Sequence, residues 1–486
     1  MQNNYLIPTE KLLERLQFEN PWWQKGKIAE ELAELPRRLY FELFYPLVKE
    51  TTIKRALVLM GPRRVGKTVM MHHAIDALIK ENIAPQKIGF VSIDNPIYIN
   101  QSLESLLQLS LQGAGIENPD GCFIFFDEIQ YLKNWEQHLK VLVDSYPKTK
   151  FIVSGSAAAA LQLKSNESGA GRFTDFLLPP LTFQEYIHLK GLQHLLKPKK
   201  INYNNSVVDF FESVNMKALN EHFINYINFG GYPEVIFSET IQQNMSRYIK
   251  SDIIDKVLLR DLPGLYGIRD VQELNRFFAY LAYNTGKEFS YEKMSIESGL
   301  DKNSLKKYME YLEAAFLIHV VNKIDDTAKN FKRITAFKVY LTNTSLRSAL
   351  FSPVNASESE LGNLVETTIF SQWMHRENLN LKYASWKSGR TEGEVDMVNI
   401  NDSTQKPFWC VEIKWSNRYF NKPAELKSLT EFCNKNKLTS ALITTIDINN
   451  ELEFKDVKLL FVPAAIYAYV VGVRTLEQKM QYRSLF

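Results

Sequence analysis

Two groups of residues in this 486-residue chain have types and spacing suited to chemistry at phosphate. The first is Gly61-Pro62-Arg63-Arg64-Val65-Gly66-Lys67-Thr68, with Val69 opening the stretch that follows. A G-x-x-x-x-G-K-[ST] turn points successive backbone N–H groups inward. The N-terminus of the next helix adds partial positive charge, so the turn cradles phosphates. Lys67 would reach the β- and γ-phosphates, and the Thr68 hydroxyl would sit on Mg2+. Downstream, the apolar run Cys122 to Phe126 ends in Asp127 and Glu128. Asp127 would hold Mg2+ directly or through water, and Glu128 would polarise the attacking water. Ser154 and Ser156, closing the run from Phe151, are both candidates to sense the γ-phosphate.

The second group lies in Glu394-Val395-Asp396 and Glu412-Ile413-Lys414. Side chains alternate along a strand, so Glu412 and Lys414 face the same way and Asp396 on a neighbouring strand joins them. Two carboxylates can hold a divalent metal, and a lysine beside them can orient or activate water.

The positioning elements follow from pattern. Ala56 to Met60 reads as a buried strand and Val69 to Lys80 as a helix, the context a phosphate loop needs. Ile88 to Asp94 and Phe151 to Ser156 read as further strands, with a helix over Leu103 to Gln112. Continuous apolar strands ending in acids imply a parallel α/β sheet with its chemistry at the carboxyl ends. Residues 1–50 read as helical, broken at Pro21-Trp22-Trp23. Arg37, Arg38 and Tyr40 lie either over the nucleotide base or on the surface of a supporting helix.

Residues 183–265 read as a mostly helical lid, with helices over Phe183 to Leu192, Phe210 to Met216, Leu219 to Phe229 and Ile241 to Leu259. Lys197 to Asn205 reads as an exposed basic loop. Residues 266–350 read as a winged helix: three helices, then strands Leu317 to Lys323 and Phe337 to Leu341. Lys302, Asn303, Lys306 and Lys307 face outward, and the wing offers Lys329, Lys332 and Arg333, a face suited either to DNA phosphates or to protein packing. In residues 351–486 a helix opens at Leu361 and carries Glu366, and Phe461 to Val473 reads as buried strand and turn.

A formal net charge of +3 is too small to imply nucleic acid by itself, so any basic surface must come from local clustering. Three widely spaced cysteines argue against a disulfide framework. The polar N-terminus and the Pro463 and Gly472 breaks in the longest apolar run point to a cytoplasmic protein without membrane contact.

The order GPRRVGKT, FIFFDEIQ, IVSGSAA, Gly171-Arg172-Phe173 and LPPLTFQEY from Leu178, with Gly230-Gly231-Tyr232-Pro233-Glu234 and Leu259-Arg260-Asp261, resembles prokaryotic AAA-type ATPases that carry a DUF4143 C-terminal region. The resemblance implies ATP and Mg2+ as cofactors and an arginine completing the ATP site, Arg172 first and Arg260 second. It also implies a nuclease-like C-terminal domain. The D…ExK layout resembles the PD-(D/E)xK nuclease fold, with Asp396, Glu412 and Lys414 on its core motif and Glu366 as the helix acid. The expected architecture is an N-terminal helical segment (1–50), a P-loop ATPase core (51–182), a helical lid (183–265), a winged helix (266–350) and a restriction-endonuclease-like α/β domain (351–486). Two functions remain open: an ATPase coupled to DNA binding or metal-dependent DNA cleavage, and a nucleotide-controlled switch binding a protein partner through an inactive nuclease-like domain. Assembly of several chains is compatible with both.

Overall fold

Apolar runs with no alternation need cover on both faces, and four of them, with the more polar Phe173–Leu177 at one edge, build a parallel sheet in the computed structural model. The structure describes residues 7–156, 171–203, 206–328, 336–376, 379–388 and 391–483, and contacts divide the chain into two units, Met1–Pro179 and Pro180–Phe486. In the first unit the strands are β1 (Ala56–Met60), β2 (Ile88–Ser92), β3 (Phe123–Asp127), β4 (Lys150–Gly155) and β5 (Phe173–Leu177). Their order is β2-β3-β4-β1-β5, every pair parallel. β1 and β2 are adjacent in sequence but separated by two strands in the sheet, which leaves a crevice at the carboxyl end of β1.

The helices of this unit include α1 (Thr9–Glu19), α2 (Phe41–Lys49), α3 (Lys67–Lys80), α4 (Leu103–Ala114) and α5 (Trp135–Ser145). The Pro21-Trp22-Trp23 break is an anchor. Both indole N–H groups donate to the Ile88 carbonyl, at 2.9 and 2.8 Å, and Asn20 brackets Phe90 through its N–H and C=O.

The second unit departs further from the sequence reading. Leu196–Tyr203 (β6) and Ser206–Ser213 (β7) form an antiparallel hairpin, where a basic loop and a helix over Phe210 to Met216 were expected. Lys197 and Lys199 face Glu212 across the ladder, and cross-strand pairing of this kind outweighs local polarity. The lid expected over 183–265 does not stand alone. Helix α6 (Phe183–Leu189) starts with a capping box between Thr182 and Glu185. Phe183 and Tyr186, with Phe223 and Tyr226 of α7 (Met216–Phe229), share one core with Ile369 and Phe370 far along the chain. The Phe183 N–H donates to the Gln372 side chain at 2.8 Å. Ser246–Asp255 and Val257–Asp261 are wound with wider i→i+5 turns, and Arg260 is exposed there.

Next come α8 (Val271–Tyr283), β8 (Glu288–Phe289), α9 (Tyr291–Ser298), α10 (Lys302–Ala314), β9 (Ile318–Ile324) and β10 (Phe337–Leu341). Ser290 and Asp301 cap α9 and α10. After α11 (Leu361–Trp373) come β11 (Leu381–Ser388), β12 (Thr391–Asn401), β13 (Lys406–Glu412), α12 (Lys427–Asn436), β14 (Ser440–Thr445), β15 (Asn450–Phe454) and β16 (Val457–Pro463). The nine strands β8 to β16 form one sheet, ordered β15-β16-β14-β13-β12-β11-β9-β10-β8, where two separate domains were expected. The join is the parallel pairing of β9 with β11 through Lys323 and Tyr383. Lys329, Lys332 and Arg333 lie outside the described residues.

The chain closes with α13 (Ala464–Arg483), which runs straight through Gly472 where a turn was expected. Gly472 is a packing residue, because a Cβ there would lie 2.9 Å from Gln184 Cβ. In an exposed helix Gly→Ala stabilises by about 1 kcal/mol. Here Gly472→Ala is expected to destabilise by about 1–3 kcal/mol through overpacking, read as a lower urea midpoint at unchanged m-value. Among the described residues no helix is long and apolar enough to cross a membrane.

Candidate nucleotide and metal sites

In the first unit the loop between β1 and α3 is held from beneath. Gly66 caps α3 at φ 93°, a conformation a side chain resists. A Cβ on Gly61 would fall 2.2 Å from the Leu178 carbonyl oxygen, so only glycine lets the loop pass. Arg38 is buried, and its Nη1 donates to the carbonyls of Val65 (2.9 Å) and Pro179 (2.8 Å). It is a strut under the loop, and neither of the two sequence readings anticipated that. Arg37 pairs with Asp76, and Tyr40 is buried against Phe176.

Lys67 is buried and donates to the Gly61 and Pro62 carbonyls at 3.1 and 2.9 Å. Thr68 Oγ1 donates to Asp127 Oδ2 at 2.7 Å, so the loop and the acid at the end of β3 meet directly. Ser154 Oγ donates to the other oxygen, Asp127 Oδ1, and accepts the Glu128 N–H at 3.1 Å. Ser154 is therefore spent on orienting the two acids, and buried Ser156 offers its N–H to Gln130 Oε1 at 3.1 Å. Gln130, which the sequence did not single out, also donates to Glu128 Oε2. Glu128 sits at φ 55°, ψ 47°, the left-handed region, and such strain concentrates where a side chain must be aimed.

Burial, with a smaller contribution from Glu128, pushes Asp127 up to about 6, against hydrogen bonds from Ser154 and Thr68. The native state then holds a proton that the unfolded chain has released, so this group makes stability fall as pH rises from about 4 to 6. Asp127→Asn is expected to remove a decline on the order of 2–3 kcal/mol over that window, visible in denaturant midpoints compared with wild type.

Arg172 precedes β5 at its amino end and pairs with Asp144 at 2.8 Å. Since Phe173 stands opposite Ala56 at the start of β1, Arg172 lies at the end of the sheet away from the loop that follows Met60. It does not complete the nucleotide site of its own chain.

In the second unit Asp396 and Glu412 occupy the rung beside the Met397–Val411 pair of β12 and β13. Lys414 Nζ lies 3.0 Å from Asp396 Oδ2 and 2.8 Å from Glu412 Oε1. The Ile413 N–H donates to Asp396 Oδ2 at 2.8 Å. Glu366 on α11 lies close enough to Asp396 for the two charges to interact. Its Oε1 accepts from Lys338 Nζ (2.9 Å) and the Tyr340 hydroxyl (2.6 Å), both on β10. Lys338 also pairs with Glu394 at 2.7 Å. The expected three-acid metal set is thus interleaved with two lysines, and among the described residues no group of three or more His, Cys, Asp or Glu is arranged to hold a metal ion. The remaining donor set, Asp396 with Glu412, still suits one hard cation, because Glu412 Oε2 is buried without a hydrogen-bond partner.

Burial and the nearby Asp396 push Glu412 up to about 7, with Lys414 opposing. Burial acts on Asp396 too, but Lys414, Lys338 and the Ile413 amide together hold it below the usual range. Burial would strip the proton from Lys414, yet Asp396 and Glu412 outweigh it and keep the ammonium charged. Lys338 and Tyr340 escaped the sequence reading because β10 reads only as a buried strand. A lysine inside such a run was the available signal.

Residues 53–187 match a family described as an AAA domain. Residues 220–358 match a domain of unknown function, DUF8612, a different domain from the DUF4143 that the resemblance implied. The chain is 25% identical over 445 residues to the uncharacterised protein MJ1544 of Methanocaldococcus jannaschii, covering 90% of each. It is 24% identical over 328 residues to an uncharacterised Haemophilus influenzae protein, covering 66% of this chain and 74% of that one. Among solved structures, the replication initiator DnaA bound to AMPPCP and single-stranded DNA aligns at 13% identity and a TM-score of 0.27, covering 60% of this chain and 91% of that one. The AAA-domain match covers the five parallel strands and the loop–acid contact, and it supports a P-loop ATPase core of AAA type.

Proposed function

We propose that the chain is a Mg2+-dependent ATPase coupled to a metal-dependent phosphodiester site in its second unit. The observation that carries the ATPase is the 2.7 Å contact from Thr68 to Asp127, which unites the phosphate loop with the acid pair. Lys67 would exchange the Gly61 and Pro62 carbonyls for phosphate oxygens, Thr68 and Asp127 would hold the Mg2+, and Glu128 would orient the attacking water. Bound Mg2+ supplies charge neutralisation on the β- and γ-phosphates.

For the second unit, support comes from Asp396, Glu412 and Lys414 converging from β12, β13 and its extension. We read the order α8, β8, α9, α10, β9, β10 as a winged helix, a reading supported by Lys302, Asn303, Lys306 and Lys307 being exposed on α10. DNA is the substrate class this arrangement favours. One observation favours the alternative of a nucleotide-controlled switch with a silent C-terminal site: two internal lysines already neutralise its acids.

Cleavage of supercoiled and linear DNA with Mn2+, alongside ATP turnover, decides between them. The expected result is cutting by wild type and none by Asp396→Ala, with ATPase retained by both. No cutting by an ATPase-active wild type would sink the phosphodiester reading and leave the switch.

A further inference from the structure

We infer that Lys338 permanently fills one of two cation positions around Asp396, so that the second unit takes a single divalent ion, at the Asp396–Glu412 position. This rests on the reading of that unit as metal-dependent. Asp396 faces two ammonium groups with its two oxygens. Oδ1 lies 3.9 Å from Lys338 Nζ, and Oδ2 lies 3.0 Å from Lys414 Nζ. Around Lys338 stand Glu366 at 2.9 Å and Glu394 at 2.7 Å, the carboxylate company a divalent ion would otherwise keep.

The two positions differ in how easily the lysine leaves. The Lys338 side chain is 4% exposed, lies 5.3 Å from the centre of the Tyr383 ring and shares Glu366 with the Tyr340 hydroxyl. The Lys414 side chain is 27% exposed and borders a cleft of about 580 Å3 that Glu412 and Glu394 also line. Lys414 can swing into that cleft and release Asp396 Oδ2 and Glu412 Oε1. Glu412 Oε2, buried and unpartnered, completes the invitation to a cation there. Lys338 is a positioning residue, because it holds Glu366 and Asp396 in place without touching the ion.

Mn2+ binding to the nucleotide-free full chain tests this, by calorimetry and by electron paramagnetic resonance of free Mn2+, with Asp396→Ala defining the ions that belong to this site. Wild type is expected to bind one Asp396-dependent Mn2+. Lys338→Ala is expected to bind two. Lys414→Ala is expected to keep one and to bind it at least about tenfold more tightly, since a competing cation is gone. Because Lys338→Ala leaves buried carboxylates unpaired and can fail to fold, the wild-type count and the Lys414→Ala affinity stand as tests by themselves. Two Asp396-dependent ions in wild type, none in wild type, one in folded Lys338→Ala, or an unchanged affinity in Lys414→Ala would overturn the inference. DNA cutting by a wild type that binds two ions would overturn it while sparing the phosphodiester reading. The expected counts without any cutting would do the reverse.

Discussion

Glu128→Gln is expected to leave ATP binding near wild type while lowering ATP turnover by about 10²–10⁴-fold, the range for loss of one general base. The amide keeps the shape and the contact with Gln130 but cannot accept a proton from water. The left-handed backbone at Glu128 and the Ser154 hydroxyl on its N–H remain, so the variant tests chemistry and not folding. Nucleotide affinity by fluorescence titration and phosphate release by a coupled assay separate the two steps. Turnover within a few-fold of wild type would move the base elsewhere. Equal loss of binding and turnover would make Glu128 a structural acid.

Arg38→Ala is expected to cost about 2–5 kcal/mol of stability and to weaken ATP binding. The guanidinium satisfies the Val65 and Pro179 carbonyls, and leaving buried acceptors unpaired costs about 1–3 kcal/mol each. Val65 lies inside the phosphate loop, so loosening its carbonyl loosens the cradle. Arg38→Lys keeps a charged donor but on a shorter side chain, out of the position from which Nη1 serves both carbonyls, and it should fall between wild type and alanine. Thermal midpoints with and without Mg2+–ATP read this directly. A destabilised Arg38→Ala that binds ATP normally would reduce the residue to a packing role.

The local chemistry was legible in the chain. The loop from Gly61 to Thr68 must turn tightly between an apolar strand and a helix, and Asp127 and Glu128 end the strand whose carboxyl edge meets that loop. Such features depend on neighbours within a few residues and on strand direction. The same holds for Asp396, Glu412 and Lys414, because alternation along β13 and the residues that extend it puts Glu412 and Lys414 on one face.

Other features required the tertiary structure. Arg38 is separated from Pro179 by 141 residues, and no spacing rule links them. Arg172 looked suited to the nucleotide, but the parallel register of β1 and β5 places it at the far end of the sheet. Gly472 reads as a breaker, yet packing against Gln184 decides its role. Above all, the pairing of β9 with β11 merges two expected domains into one sheet, and β10 then carries Lys338 among Glu366, Glu394 and Asp396. Which acids face each other, and which cation lies between them, is set by long-range strand pairing. A short motif states what a site can do, whereas the charges that reach it from distant strands decide what it can bind.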